Sequence, residues 1–129
     1  MSTLSSKLVS KKNVKKTWIK FLSSKNFNYV ATIQKPMKHP YKLQKNLERL
    51  AGCEQIENMF YSVERNADCM GYHIHLMLKA HRTKKYNIRY VLNLQDSDIP
   101  YFKKINSTYR ISRYVTKNMI GDQIHYEYY

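Results

Sequence analysis

Hydrophobic and polar positions along this chain change period several times, and the changes mark its elements. In residues 71–78, GYHIHLML, two histidines alternate with apolar residues inside an apolar run. Such alternation reads as a strand, with Ile74, Leu76 and Leu78 on one face and His73 and His75 on the other. FNYVATIQ (27–34) and MFYSVER (59–65) also read as strands, YFKKI after Pro100 as a short one, and DQIHYEYY (122–129) as a closing one. Helical spacing appears in four places. Val14, Trp18, Phe21 and Leu22 recur among lysines over 11–24. Leu43, Leu47 and Leu50 recur over 41–51 with Gly52 as terminator, Ile88, Val91 and Leu92 over 82–94, and Ile111, Val115 and Met119 in ISRYVTKNM (111–119). Pro36 and Pro40 fix φ in a polar loop, and the Ser-rich residues 1–10 read as a loose arm.

After the N-terminal helix the order is β-α-β-β-α-β-α-β. This predicts an α+β fold, a central antiparallel sheet with helices packed mainly on one face. The 129 residues suit a single domain over 1–129 and leave no room for an added helicase domain. Residues 1–24 form a polar arm and a basic amphipathic helix, which docking on the domain explains better than membrane contact does. There is no internal repeat and no long linker.

Charge narrows the partner. Lys and Arg number 23 against 9 Asp and Glu, a formal charge of +14, which favours a polyanion through counterion release. Twelve tyrosines lie among the lysines, and aromatic faces can stack unpaired bases. Cys53 and Cys69 have no CxxC spacing, so neither a zinc site nor a disulfide framework is indicated. No apolar run approaches the roughly 20 residues of a membrane span, and lysines interrupt the N-terminus where a signal peptide would be apolar. An intracellular, reducing compartment is expected.

The chemistry is concentrated in two motifs. His73 and His75 share a strand face, an arrangement able to hold a divalent metal. Tyr114 and Lys117 lie three apart on one helix face, with Tyr114 at the border of an apolar stripe, where a side chain points into a cleft. His39, His81 and His125 stand alone and read as surface or strand histidines. A His-x-His strand followed by a Tyr-x-x-Lys helix resembles the HUH endonucleases, more narrowly the single-tyrosine replication initiators (Rep proteins) of small viruses and plasmids. FNYVATIQ stands where that family has its first motif.

The resemblance implies a fold, a site and a reaction. The fold would be the ferredoxin-like or RRM-like sheet of HUH domains. The metal ligands would be His73 and His75 with an acidic residue on the preceding strand. Glu64 fills that place if the hairpin pairs Arg65 with Tyr72, which sets Glu64 opposite His73. Mg²⁺ or Mn²⁺ would be the metal, since one carboxylate and two imidazoles leave positions open for phosphate oxygens. Tyr114 would be the nucleophile, assisted by Lys117, with Arg110 and Arg113 available to DNA phosphates. The substrate would be single-stranded DNA at an origin, with or without a hairpin, nicked and rejoined through a 5′-phosphotyrosine in rolling-circle-type replication. The setting would be the host cytoplasm of a prokaryotic virus or plasmid. No membrane partner is expected, and a homodimer is one compatible assembly. A single-tyrosine HUH transposase and a non-catalytic nucleic-acid-binding viral protein are the alternatives.

Overall fold

A computed structural model of the chain describes residues 11–35, 41–66, 71–105, 110 and 123–129. The segments read as strands are strands, and three of the four with helical spacing are helices; the fourth, 111–119, lies outside the described residues. In chain order these are α1 (Lys11–Ser23), β1 (Tyr29–Lys35), α2 (Tyr41–Ala51), β2 (Ile56–Arg65), β3 (Tyr72–Ala80), α3 (Lys85–Leu92), β4 (Tyr101–Lys104) and β5 (Gln123–Tyr128), with one 3₁₀ turn at Asp96–Asp98. The five strands form one antiparallel sheet in the order β4-β1-β3-β2-β5. The protein is therefore α+β, with three α-helices among the described residues.

The central strands are buried on both faces because each face carries helices. On one face, Ile74, Leu76 and Leu78 of β3 join Ile33 of β1 and Val63 of β2 beneath Leu43, Leu47 and Leu50 of α2 and Ile88 and Leu92 of α3. On the other, Leu22 of α1 and Phe27 pack on Val30, Phe60 and Met77. Burying a side chain of Leu22's size contributes about 1.5–3 kcal/mol. Aromatic contacts hold α1 further: Trp18 meets Phe60 at 5.8 Å and Tyr126 at 5.0 Å between centroids, and Phe21 meets Tyr128 at 5.0 Å. The amphipathic helix thus docks on the domain, as expected. Two of the three described helices, α2 and α3, share one face, as the expected arrangement has it, and α1 packs by its apolar stripe on the histidine-bearing face.

Two local devices fix the register that positions the site. Gly71 has φ 111°, a conformation open to glycine at little cost. The Asn66 N–H donates to the Gly71 carbonyl at 3.0 Å, and the hairpin closes with Arg65 opposite Tyr72. At the other end of β3, Asn28 Nδ2 donates to the Ala80 carbonyl at 2.8 Å while its Oδ1 accepts from the Ala80 N–H at 2.9 Å. That two-way bond ties the start of β1 to the end of β3, setting Thr32 opposite His75 and Gln34 opposite His73.

Helix α3 is shorter than the expected 82–94. Arg82 has φ 46°, so it cannot continue a right-handed turn, and Asn93 closes the helix at φ 56°. The Leu94 N–H then donates to the Arg89 carbonyl at 2.9 Å, the bond pattern of a left-handed helix stop. Among the described residues no helix is long and apolar enough to cross a membrane.

Candidate metal centre

Strands β2 and β3 bring the site together by register alone. Glu64 pairs directly with His73, and Ser62 with His75. In an antiparallel pair, directly opposed residues share a face, so Glu64 stands on the face of both histidines. A bulge in the β2–β5 ladder falls between Val63 and Glu64, and bulges commonly re-aim a neighbouring side chain.

The carboxylate lies between the two imidazoles. Glu64 Oε1 is 3.4 Å from His73 Nε2, and Oε2 is 3.4 Å from His75 Nε2. One ligand atom from each of the three residues can be chosen so that all lie within 4.8 Å of one another. Adjacent ligands bound at about 2.1 Å to one cation sit roughly 3–3.5 Å apart, so the cluster needs little movement to share an ion. Burial is graded: the side chains of Glu64 and His75 are 1% and 3% exposed, that of His73 21%. Solvent, and any ligand, reaches the cluster past His73.

Asn66 determines which nitrogen of His73 is available. Its Oδ1 lies 2.8 Å from His73 Nδ1. An amide oxygen has no proton to give, so Nδ1–H is the donor of this bond and Nε2 is the nitrogen left to face Glu64. A lone pair and a carboxylate oxygen facing each other need a proton or a cation between them. The donor set, the outward hydrogen bond on the ligating imidazole and the burial of Glu64 and His75 all fit a divalent metal. Asn66 was not among the residues singled out from the sequence. The signal existed: residue 66 is two beyond Glu64 and so lies on the same face of an extended chain.

The site residues read from the sequence divide into two groups. The structure brings Glu64, His73 and His75 together. Arg110 is exposed, and Tyr114, Lys117 and Arg113 lie outside the described residues, as does Cys69. Cys53 is free and half-buried at the end of α2.

The titration behaviour outside this cluster is concentrated on the opposite face of β2. There Tyr61, almost fully buried, has its phenol pushed well above the ordinary tyrosine value, first by burial, then by Tyr129 and Glu127 nearby. Tyr129 is raised as well, first by burial and then by Glu127 and Glu48. His125 Nε2 lies 3.4 Å from Glu127 Oε1, both side chains more than a third exposed or close to it (35% and 41%). These groups make no metal cluster: among the described residues only Glu64, His73 and His75 form one. No family model matches the chain, and comparison with curated proteins and with solved structures gives no significant match.

Proposed function

We propose that the chain is a metal-dependent DNA-nicking enzyme of the HUH type, a single-tyrosine replication initiator of a small virus or plasmid. The observation that carries this reading is the direct opposition of Glu64 and His73 across β2 and β3, with His75 on the same face. The order β4-β1-β3-β2, with α2 and α3 on one face, supports a ferredoxin-like, split βαβ arrangement. That architecture also serves pure binding proteins, so the argument rests on the site.

Glu64, His73 and His75 would hold Mg²⁺ or Mn²⁺. Bound there, the cation would neutralise and polarise a scissile phosphate, whose oxygens otherwise repel a nucleophile. Imidazole ligands favour Mn²⁺, and cellular abundance favours Mg²⁺. The Tyr114 hydroxyl loses its proton and attacks phosphorus, forming a 5′-phosphotyrosine ester. The bond from phosphorus to the 3′-oxygen breaks, and that oxygen takes up a proton to leave a free 3′-hydroxyl. Lys117, three residues beyond Tyr114 in the sequence, would lower the cost of the phenolate through its charge. The ester conserves the energy of the bond it replaced, so a 3′-hydroxyl can attack it and rejoin the strands. Arg110 and Arg113 would meet phosphates of the single-stranded origin.

The transposase alternative shares the ligands. Tyr114 follows His75 by only 39 positions and carries Lys, not Gln, downstream, which favours the initiator. The test is covalent capture. Wild-type protein, Mn²⁺ and single-stranded oligonucleotides from the native replicon should give an adduct that survives denaturing electrophoresis. Tyr114→Phe should abolish it while largely preserving DNA binding. An adduct that persists in Tyr114→Phe would move the nucleophile to Tyr109 or another tyrosine. Intact Mn²⁺ and DNA binding without any adduct in the wild type would favour the non-catalytic binding protein.

A further inference from the structure

Helix α3 leaves two large rings in solvent. Its inner side buries Ile88 and Leu92, while Tyr86 and Tyr90, four residues apart on the outer side, are 61% and 76% exposed. Their ring planes are 28° apart with centroids 6.4 Å apart, so the two faces form one aromatic strip along the helix. The Arg89 guanidinium sits 5.6 Å from the Tyr86 centroid. Beside the strip lies an open depression of about 510 Å³, walled by Asn46 and Arg49 of α2 and by Tyr86, Arg89, Tyr90 and Asn93.

The chemistry of this surface is one-sided. Two guanidiniums and two amides line the depression, and no carboxylate does. Lys85 is engaged elsewhere, 3.1 Å from Asp96, which leaves Arg49 and Arg89 as the cations that face a ligand. Guanidinium forks match phosphate oxygens, and their planes stack on aromatic rings. Exposed tyrosine faces offer stacking to any base whose own face is free. Duplex bases are already stacked on one another and cannot use them. A protein partner fits less well, because a depression lined by guanidiniums in a chain of +14 repels most basic surfaces and favours a polyanion.

We propose that the Tyr86–Tyr90 strip with Arg49 and Arg89 is a binding site for single-stranded nucleic acid, separate from the metal centre. Separation follows from the fold: α3 packs on the Ile74–Leu76–Leu78 side of β3, and His73 and His75 occupy the other. A strand held here is anchored on the far side of the sheet from the Glu64 cluster. The site shares with the proposed nicking activity only its nucleic-acid partner.

Fluorescence anisotropy of labelled oligothymidylate tests it, on the full chain in EDTA so that the metal centre takes no part. The double variant Tyr86→Ala/Tyr90→Ala should bind at least about tenfold more weakly, with an unchanged slope of log affinity against log salt, because stacking displaces no counterions. Tyr86→Phe/Tyr90→Phe should restore binding to within about twofold, since the rings are kept. Affinity for duplex DNA should stay the same in all three proteins. Arg49→Ala/Arg89→Ala should make the salt slope shallower by about 1.4 units, as two phosphate contacts are lost. Unchanged oligothymidylate affinity in the double alanine variant would overturn the proposal, as would an equal loss on duplex. So would a wild-type dimer that dissociates in the alanine variant with DNA affinity intact, which would make this face an interface between copies. A protein with no nicking activity at all would still show the predicted loss, so the two readings fail separately.

Discussion

β2 carries ionisable groups on both of its faces, and the two sides behave differently. On one side Glu64 lies between His73 and His75 with 3.4 Å to each. On the other, His125 lies 3.4 Å from Glu127 beside the buried Tyr61. Residue types and pair distance are the same, and both histidine-containing segments alternate along a strand. Three things separate them. The first cluster is assembled across two strands, so its members converge; His125 and Glu127 follow one another along β5 and close only a local pair. Glu64 and His75 are withdrawn from solvent, whereas His125 and Glu127 are partly solvated, where an ion pair contributes little. The first cluster also has an outward anchor, Asn66 on His73. Spacing in the sequence thus nominates a metal site, and cross-strand register with burial assembles a cluster that could hold an ion.

The strongest way to break this contrast is to remove a member from each side. Glu64→Ala, His73→Ala or His75→Ala should weaken Mn²⁺ binding by more than about a hundredfold, above the usual effect of losing an outer partner. His125→Ala should leave it within twofold. Isothermal titration calorimetry measures this directly. Thermal unfolding adds an independent reading: Mn²⁺ at about a hundred times its Kd stabilises the wild type by about 2.7 kcal/mol, and the Glu64→Ala protein should gain nothing. Equal losses from Glu64→Ala and His125→Ala would show that the metal is bound nonspecifically by surface groups.

Asn66 sharpens the contrast at its finer level. Asn66→Ala should weaken Mn²⁺ about tenfold, because His73 becomes free to place its proton on Nε2 and to rotate. Asn66→Asp, which keeps an acceptor against Nδ1, should recover most of the affinity. The imidazole ¹⁵N shifts of His73 report the tautomer and should move in Asn66→Ala alone. Unmoved shifts in that variant would reduce Asn66 to a turn residue.

Most of this arrangement was legible in the sequence, for reasons that are themselves structural. The alternation of Ile74, Leu76 and Leu78 against His73 and His75 survives because a strand side chain has only two faces to choose from. The opposition of Glu64 and His73 required one register, and Gly71, able to take φ 111°, is the residue that secures it. What was not legible depends on contacts made by other elements. Helices on both faces follow from Trp18 and Leu22 packing on Phe60 and Met77, a long-range choice that helical periodicity cannot specify. The early stop of α3 at Asn93 was readable, since asparagine tolerates the left-handed conformation, but the apolar Leu94 extended the pattern past it. The expected pairing of Tyr114 with Lys117 on one helix face lies outside the described residues.

The mildest effect concerns the other side of β2. Burial holds the Tyr61 phenol neutral in the folded protein to well above its ordinary value of 10.0. Below about pH 10 the group is protonated in both folded and unfolded chains, and its contribution to stability is fully present. As pH rises past 10 the unfolded chain gives up this proton and the folded one does not, so stability falls. One pH unit above that value the loss from this group is about 1.4 kcal/mol. Urea unfolding at pH 8 and at pH 11 should therefore show a smaller decline for Tyr61→Phe than for the wild type, by roughly that amount. Tyr129, raised in the same direction, is coupled to Tyr61 by a side-chain hydrogen bond, so the pair is also compared in a Tyr129→Phe background, which removes that coupling. If the two proteins decline in parallel, Tyr61 ionises as easily folded as unfolded. The side of β2 opposite the Glu64 cluster would then be solvated down to Tyr61 itself, and its contrast with the withdrawn Glu64 would widen.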